Sequence, residues 1–240
     1  MKKLLIIALP LLLICRITYA QLISGEDKAR ILKENVVKVN GDHNGYGFMV
    51  GQNDRLVYIV TPNHVLRGVD NKLDKSEVTV ELFTQQGTPI EAVALDKKFD
   101  SNEQDLAVIT IKREDLPTET GIYDVGLSNK TARLRGKEVW FTGNKWTIPV
   151  NPCVIQSSQD NIAGKLEIED CSTAVEGFSG TPFTSSDGIE GMFLQKRPDG
   201  SSATVLSTSF IRKAFLEWNL PLGNQIRQTK LWTSTEISQA

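Results

Sequence analysis

Three short segments of the chain carry side chains that together could perform acyl transfer. They contain His64, Asp105 and Ser179, in that order. A serine hydroxyl is a weak nucleophile, so it needs a neighbouring base, a group that orients the base, and donors for the developing oxyanion. Ser179 lies between Gly177 and Gly180, and glycines allow the tight turn that directs backbone N–H groups at one point. These residues therefore predict a nucleophilic hydrolase.

Few other residues could serve as the base or the orienting group. The chain has 2 histidines. His64 follows an apolar, strand-like run and a Thr-Pro-Asn turn, whereas His43 lies among Gly, Asp and Asn residues typical of a solvated loop. Asp105 directly precedes the apolar run 106–111, where a carboxylate can be held away from water and fix a histidine tautomer. The alternative for Asp105 is a turn residue that caps the strand.

The order of the three residues distinguishes between unrelated folds. The chymotrypsin type reads His, Asp, Ser; subtilisins read Asp, His, Ser; and α/β-hydrolases read Ser, Asp, His. The hydrolase motif Gly-x-Ser-x-Gly also fails, because Thr181 stands at its last glycine.

The pattern of apolar runs indicates an all-β protein. From residue 36 to about 206, short apolar or alternating runs are separated by Gly, Asn, Asp and Pro, which is typical of a sandwich or a pair of barrels. Helical periodicity is clear only at 209–218, near the end of the chain. A short helix or an arm is expected at 25–34.

Composition excludes several classes of function. With 240 residues, 40% apolar content and a net charge of -2, the chain is predicted to be globular, and no charge run suggests a nucleic-acid partner. No His-Glu-x-x-His or Cys-x-x-Cys motif is present, so no metal site is expected. No phosphate-binding glycine loop precedes a helix, and no cofactor is predicted.

Residues 1–20 have the pattern of a signal peptide. Two lysines are followed by an apolar run and by Thr18-Tyr-Ala20, a small-residue cleavage site, so the mature chain would begin at Gln21. We therefore expect an exported protein, periplasmic or secreted, without stable membrane insertion. A membrane anchor is the alternative, although Pro10 and Arg16 interrupt the apolar run. A lipoprotein signal ending at Cys15 is a second alternative.

Cleavage at Gln21 would leave two cysteines, Cys153 and Cys171, in an oxidising compartment. The segments 154–157 and 165–169 resemble two strands of a hairpin, which would place the cysteines opposite each other. A bridge that closes such a loop contributes about 3 kcal/mol in the chain-entropy model. Two unpaired thiols are the alternative.

The motifs resemble those of the trypsin/chymotrypsin-like serine endopeptidases, and most closely the compact bacterial HtrA/Deg and V8-like members. The matching segments are Gly45-Tyr-Gly-Phe-Met-Val50, Tyr58-Ile-Val-Thr-Pro-Asn-His64-Val65, Asp105-Leu-Ala-Val108, Gly177-Phe-Ser-Gly-Thr-Pro182 and Gly188-Ile-Glu-Gly-Met-Phe-Leu194. The resemblance implies two antiparallel six-stranded β-barrels, a catalytic triad in the groove between them, and a C-terminal helix. The expected domains are an arm at 21–34, a peptidase domain at 35–220 that divides into two lobes near 115–135, and a tail at 221–240.

The resemblance also assigns roles to individual residues. His64, Asp105 and Ser179 would form the triad, and the N–H groups of Gly177 and Ser179 would form the oxyanion hole. Four residues would contact the substrate, which would be a protein or a peptide: Thr173, Leu194, Gln195 and Lys196. No acidic residue stands at the base of the expected specificity pocket, which argues against a preference for Lys or Arg.

The chain departs from the family at two positions next to the nucleophile. Phe178 replaces the usual Asp or Asn, and Thr181 replaces a glycine. Phe178 makes activation by insertion of a new N-terminal amine improbable, and no peptide-binding PDZ module is expected within these residues. Its bulk could also distort the oxyanion loop. The alternative function is therefore an inactive homologue that binds peptides or proteins in its groove.

Overall fold

The computed structural model describes residues 24–67, 77–99, 104–117, 127, 136–155, 158–160, 164–169, 177–196 and 202–224. Within them the chain is mostly β-structure, with three α-helices. The helices are α1 (Gly25–Leu32), α2 (Asn63–Arg67) and α3 (Thr208–Glu217).

The first half of the chain forms a closed six-stranded barrel. Its strands are β1 (Val36–Asn40), β2 (Asn44–Gln52), β3 (Leu56–Thr61), β4 (Val78–Leu82), β5 (Ile90–Phe99) and β6 (Leu106–Lys112). They are hydrogen-bonded in the order β1-β4-β5-β6-β3-β2, and pairing of β1 with β2 closes the barrel. A closed barrel has no exposed strand edge.

The second half forms a curled, open sheet of seven strands among the described residues. They are β7 (Glu138–Phe141), β8 (Cys153–Val154), β9 (Ser158–Asp160), β10 (Lys165–Glu169), β11 (Pro182–Ser185), β12 (Gly188–Lys196) and β13 (Ser202–Ser207). Their order is β8-β7-β11-β12-β13-β10-β9. The predicted all-β double barrel with a C-terminal helix is thus confirmed, with the second barrel open rather than closed.

The central strands of the first barrel are apolar on both faces because both faces are buried. In β6, Ala107, Ile109 and Ile111 belong to the core inside the barrel. Leu106 and Val108 point the other way, into a core shared with the second sheet. Successive side chains of a strand alternate between faces, so a continuous apolar run marks a strand between two cores. This shared core fixes the barrels against each other.

Helices α1 and α3 contribute to the packing of the two barrels against each other. Helix α1 lies on the second barrel, where Ala29 and Leu32 are buried and Lys28 Nζ donates to the Ser186 carbonyl at 2.5 Å. Helix α3 buries Ile211 and Phe215 in the shared core. After α3, strand β14 (Gly223–Asn224) pairs in parallel with Gly51 and Gln52 of β2, so the chain returns to the first barrel.

One sequence expectation about pairing is wrong. The predicted hairpin began at 154, but Val154 pairs with Glu138 of β7. The strand opposite β10 is β9, with Ser158 facing Ile168 and Asp160 facing Leu166. Cys171 and the predicted signal peptide lie outside the described residues. No helix in the described part of the chain is long and apolar enough to cross a membrane.

Candidate active site

His64 lies in the first turn of α2, directly after β3. Its ring Nδ1 is 2.5 Å from Asp105 Oδ2, and its backbone N–H donates to Asp105 Oδ1 at 2.9 Å. One carboxylate thus holds both the ring and the backbone of the histidine. The His64 side chain is 41% exposed and that of Asp105 is 19% exposed, so the histidine is accessible to solvent and the aspartate is largely covered.

Asp105 adopts a backbone conformation that few residues take. Its φ is 47°, in the left-handed region that Asp and Asn enter more readily than other non-glycine residues. Its carbonyl accepts from the Asn63 N–H at 3.3 Å. Backbone and side chain of Asp105 therefore both bind the start of α2, and the strained turn directs the carboxylate at His64.

The Asp105 carboxyl is held in its charged form. Burial disfavours the charge, but the hydrogen bond and charge of the His64 ring, with the His64 backbone N–H, outweigh burial and hold the pKa of Asp105 below its usual value. An ionised carboxylate can only accept hydrogen bonds. In the neutral imidazole, Nδ1 must then carry the proton and Nε2 presents a free lone pair.

The turn that carries Ser179 requires its glycines. Gly177 has φ 88° and Gly180 has φ 95°, which are left-handed values that favour glycine. A Cβ on Gly180 would lie 1.7 Å from the Tyr46 carbonyl oxygen. The Tyr46 N–H in turn donates to the Ser179 carbonyl at 2.8 Å. The serine turn is therefore pressed directly against β2 of the first barrel.

Gly45 lies between the serine and histidine segments. A Cβ there would be 2.6 Å from a methyl group of Val65, the residue after His64, and 3.1 Å from the Ser179 carbonyl oxygen. The structure thus brings the segments of all three predicted triad residues to one edge of the first barrel, and His64 and Asp105 are in direct contact.

The Ser179 hydroxyl binds a backbone carbonyl and not the expected partner, His64. Ser179 Oγ donates to the Leu194 carbonyl at 2.7 Å, and the hydrogen bonds of the His64 side chain and backbone N–H go to Asp105. Leu194 lies where the register of β12 against β13 shifts, and such a bulge re-aims the groups of a strand. Leu194 contributes its backbone oxygen to the site, while its side chain is buried.

Phe178 is packed inside the second barrel. It is 7% exposed, and its ring lies 5.4 Å from that of Phe141, tilted by 50°. Phe141 stacks in turn on Phe183 at 6.0 Å. An apolar cluster therefore accommodates the side chain that replaces the usual acidic residue, and the bulk of Phe178 is packed in the core of the second barrel.

The other predicted site residues have varied positions. Gln195 is exposed on β12 and Lys196 follows it on the same strand, whereas Thr173 lies outside the described residues. His43 is exposed in the turn between β1 and β2, where its N–H donates to the Val65 carbonyl at 3.1 Å. Among the described residues no cluster of His, Cys, Asp or Glu could hold a metal ion.

A family model for the trypsin-like peptidase domain matches residues 45–189, more than half of the 240 residues. The match includes His64, Asp105 and Ser179. The chain belongs to the trypsin-like peptidase family. The resemblance drawn from the motifs is thereby confirmed, and so is the class of enzyme, a serine endopeptidase.

Solved structures of serine proteases share the fold of this trypsin-like peptidase. A serine endoprotease from Yersinia pestis aligns with a TM-score of 0.59 and 18% identity, over 81% of this chain and 66% of that chain. The active form of the Rv3671c protease from M. tuberculosis aligns with a TM-score of 0.57 and 18% identity, over 82% of this chain and 86% of that chain. Deg5 aligns with a TM-score of 0.56 and 19% identity, over 78% of this chain and 90% of that chain. The comparison with curated proteins gives no match.

The sequence did not indicate that Tyr46 contacts the serine turn or that the Leu194 carbonyl binds the serine hydroxyl. Tyr46 and Leu194 both make these contacts with backbone atoms, so their residue types do not indicate them. The glycines at 45 and 180 are the one signal that could have revealed the close approach of the two segments.

Proposed function

We propose that this trypsin-like peptidase hydrolyses peptide bonds through an acyl-enzyme intermediate, with Ser179 as nucleophile, His64 as base and Asp105 as the group that orients His64. The substrate is a protein or a peptide, and no cofactor takes part. The observation that carries the proposal is the two-point contact of the Asp105 carboxylate with the ring and backbone of His64. That contact leaves Nε2 free to accept a proton.

The reaction begins with a rotation of the Ser179 hydroxyl from the Leu194 carbonyl to His64 Nε2. Such side-chain torsions move between staggered wells, and catalytic hydrogen bonds often form only when substrate is bound. Oγ then bonds to the substrate carbonyl carbon while its proton passes to Nε2. The same proton goes to the amine as the C–N bond breaks, and water repeats the sequence to release the acid.

The proposed oxyanion hole consists of the N–H groups of Gly177 and Ser179. The left-handed φ of Gly177 and the packing of Phe178 support this assignment, since both constrain the backbone between the two donors. Donors fixed before the reaction need no reorganisation as charge develops. Four residues are proposed to contact the substrate side chain on the N-terminal side of the cleaved bond: Thr173, Leu194, Gln195 and Lys196.

The test compares the wild type with Ser179→Ala. We expect a fluorophosphonate to label the wild type and the protein to hydrolyse casein, and both activities to be lost in Ser179→Ala. The matched control is Ser209→Ala, an exposed serine at the start of α3, which keeps both. Casein hydrolysis that persists in Ser179→Ala would contradict the proposal.

The same experiment decides the alternative of an inactive peptide-binding homologue. That alternative requires peptide binding without turnover and no labelling of the wild type at any pH. It was motivated by the bulk of Phe178, which the structure places in an apolar core. The family membership and the intact His64–Asp105 contact favour the enzyme.

We also propose that the protein is exported and that Cys153 and Cys171 form a disulfide bond. The signal-like pattern of residues 1–20 supports export, and sequencing of the secreted protein should begin at Gln21. Cys153 is 3% exposed in the apolar core of the second barrel, and the even number of cysteines left after cleavage supports the bridge. A peptide map without reductant that contains free Cys171 would contradict it.

A further inference from the structure

The loop between β7 and β8 contacts both the first barrel and the segment that carries Ser179. We call residues 143–147 the Trp146 loop. None of these residues was predicted to have a role in the reaction.

On one side, the loop is fixed to the first barrel. Trp146 is 6% exposed, and its indole N–H donates to the Val36 carbonyl of β1 at 2.8 Å. Its ring meets that of Tyr46 edge to face, with centroids 6.1 Å apart and an angle of 87° between the planes. The Lys145 N–H donates to the Tyr46 hydroxyl at 3.1 Å. Trp146 therefore anchors a loop of the second barrel in the first.

The backbone of the loop is strained. Lys145 has φ 54° and Trp146 has φ 55°, and consecutive left-handed residues other than glycine cost free energy. Such strain persists only where the surrounding contacts determine the conformation. The contacts with Tyr46 and Val36 do so here, so the loop has one defined shape.

On the other side, the loop supports the residue before the nucleophile. The Gly143 N–H donates to the Thr147 carbonyl at 2.5 Å and closes the loop. A Cβ on Gly143 would lie 2.8 Å from Phe178 Cζ. The Phe178 ring therefore rests on the Gly143 backbone with no room for a side chain, and Phe178 joins Gly177 to Ser179.

Tyr46 contacts the serine turn as well as the loop. Its side chain binds Trp146 and the Lys145 N–H, while its backbone N–H donates to the Ser179 carbonyl at 2.8 Å. The serine turn is thus held at two places: directly by Tyr46, and through Gly143 and Phe178 by the Trp146 loop.

We propose that Tyr46 and Trp146 are positioning residues that fix, through Gly143 and Phe178, the backbone bearing the Gly177 and Ser179 N–H groups. This inference rests on the proposed function. It assigns alignment of the oxyanion donors to a contact between the two barrels. A shift of about 1 Å in such groups can cost on the order of 100-fold in rate.

The test adds one methyl group beneath Phe178 and then makes room for it. We expect Gly143→Ala to slow fluorophosphonate labelling about 10- to 100-fold and to lower kcat for casein with little change in KM. In Gly143→Ala/Phe178→Leu, the smaller side chain should restore part of the labelling rate. Trp146→Phe, which keeps a ring but loses the bond to Val36, should also label more slowly.

Two measurements separate positioning from a general loss of structure. Far-UV circular dichroism must show each variant folded at the assay temperature. The pH profile of kcat/KM must keep its midpoint, because His64 and Asp105 lie in the first barrel. The matched control is Trp218→Phe, a half-buried tryptophan at the end of α3, which should label at the wild-type rate.

The outcomes distinguish this inference from the proposed function. A folded Gly143→Ala that labels as fast as the wild type, or a double variant that recovers nothing, would overturn the positioning role while Ser179-dependent labelling stands. Absence of Ser179-dependent labelling in the wild type would instead overturn the catalytic proposal itself.

Discussion

Asp105 combines a strained backbone with a charged side chain, and both features act on His64. The left-handed φ of 47° costs free energy, which the hydrogen bonds of the carboxylate and the carbonyl to the start of α2 offset. Because Asp and Asn tolerate this region better than other side chains, Asn is the substitution that keeps the backbone while removing the charge. It therefore separates the electrostatic role of Asp105 from its structural one.

We predict that Asp105→Asn lowers kcat about 10⁴-fold, as in a known enzyme with this triad, because an amide permits the wrong tautomer of the histidine. The variant should remain folded and still label slowly at Ser179. Steady-state kinetics with casein and far-UV circular dichroism measure the two effects. A loss of less than about tenfold would show that Asp105 does not orient the base.

The same carboxylate makes stability depend on pH. Its pKa is lower in the folded protein than in the unfolded chain, so its contribution is present above the unfolded value of 3.8 and is lost as pH falls through the folded value. The unfolding free energy of the wild type should therefore approach that of Asp105→Asn only in acid. Urea titrations between pH 3 and 7 measure the difference, and a constant gap across that range would contradict the assignment.

The sequence predicted the triad, which stays a prediction, because each residue has local signals: flanking glycines for Ser179, a preceding strand for His64 and a following strand for Asp105. It did not indicate the contacts of Tyr46 and Trp146. These contacts join segments far apart in the chain, and a buried aromatic residue has the same appearance in any core. Residues that act through non-local packing leave no local pattern.

At the scale of elements, α1 is an integral part of the fold. Gly25 lies so close to Trp140 that a Cβ would be 2.5 Å from its ring, and Asn35, just before β1, is 1% exposed. Residues 24–35 thus run from β7 of the second barrel to β1 of the first barrel. This segment packs as core, so its removal would expose apolar surface rather than release an active enzyme.

We predict that Leu32→Ala in α1 destabilises the protein by about 2–5 kcal/mol, the range for truncating a buried leucine. The matched control on the same helix is Arg30→Ala, whose exposed ion pair with Glu26 should change stability by about 0.5 kcal/mol or less. Urea unfolding measures both. Equal effects of the two substitutions would show that α1 is not packed as described.

The existence of a strand could be predicted from its own apolar pattern. The partner of a strand was harder to predict when the two strands lie far apart in the chain. Strands β3 and β6 are apolar on both faces and end at turn residues, so their existence followed from composition. The segment at 154–157 was assigned to the wrong partner, because the pairing of Val154 with Glu138 joins segments that no local pattern connects. Register between distant strands is a tertiary property.

At the scale of the whole molecule, the shared core joins the barrels into one unit. It takes Tyr46, Phe48 and Val108 from the first barrel and Met192, Leu206 and Phe215 from the second barrel and α3. Separating the barrels would expose these side chains, at a cost of roughly 25 cal/mol for each Å² of apolar surface. Neither barrel buries its outer face without the other.

We therefore predict that the two barrels unfold in a single cooperative transition. Tryptophan fluorescence and far-UV circular dichroism should give the same urea midpoint, and Phe215→Ala should lower both midpoints together by removing about 3–5 kcal/mol. Two separated transitions, with Phe215→Ala shifting one alone, would show that the barrels are independent.

The burial of Phe178 bears on one known way of activating a trypsin-like protease, the insertion of a newly released amino terminus beside the nucleophile. Its ring takes its place among Phe141 and Phe183 as soon as the chain folds, without waiting for a cut that liberates a new amino terminus. An aspartate at this position could pair with such an amine, whereas the phenyl ring of Phe178 carries no charge to bind it.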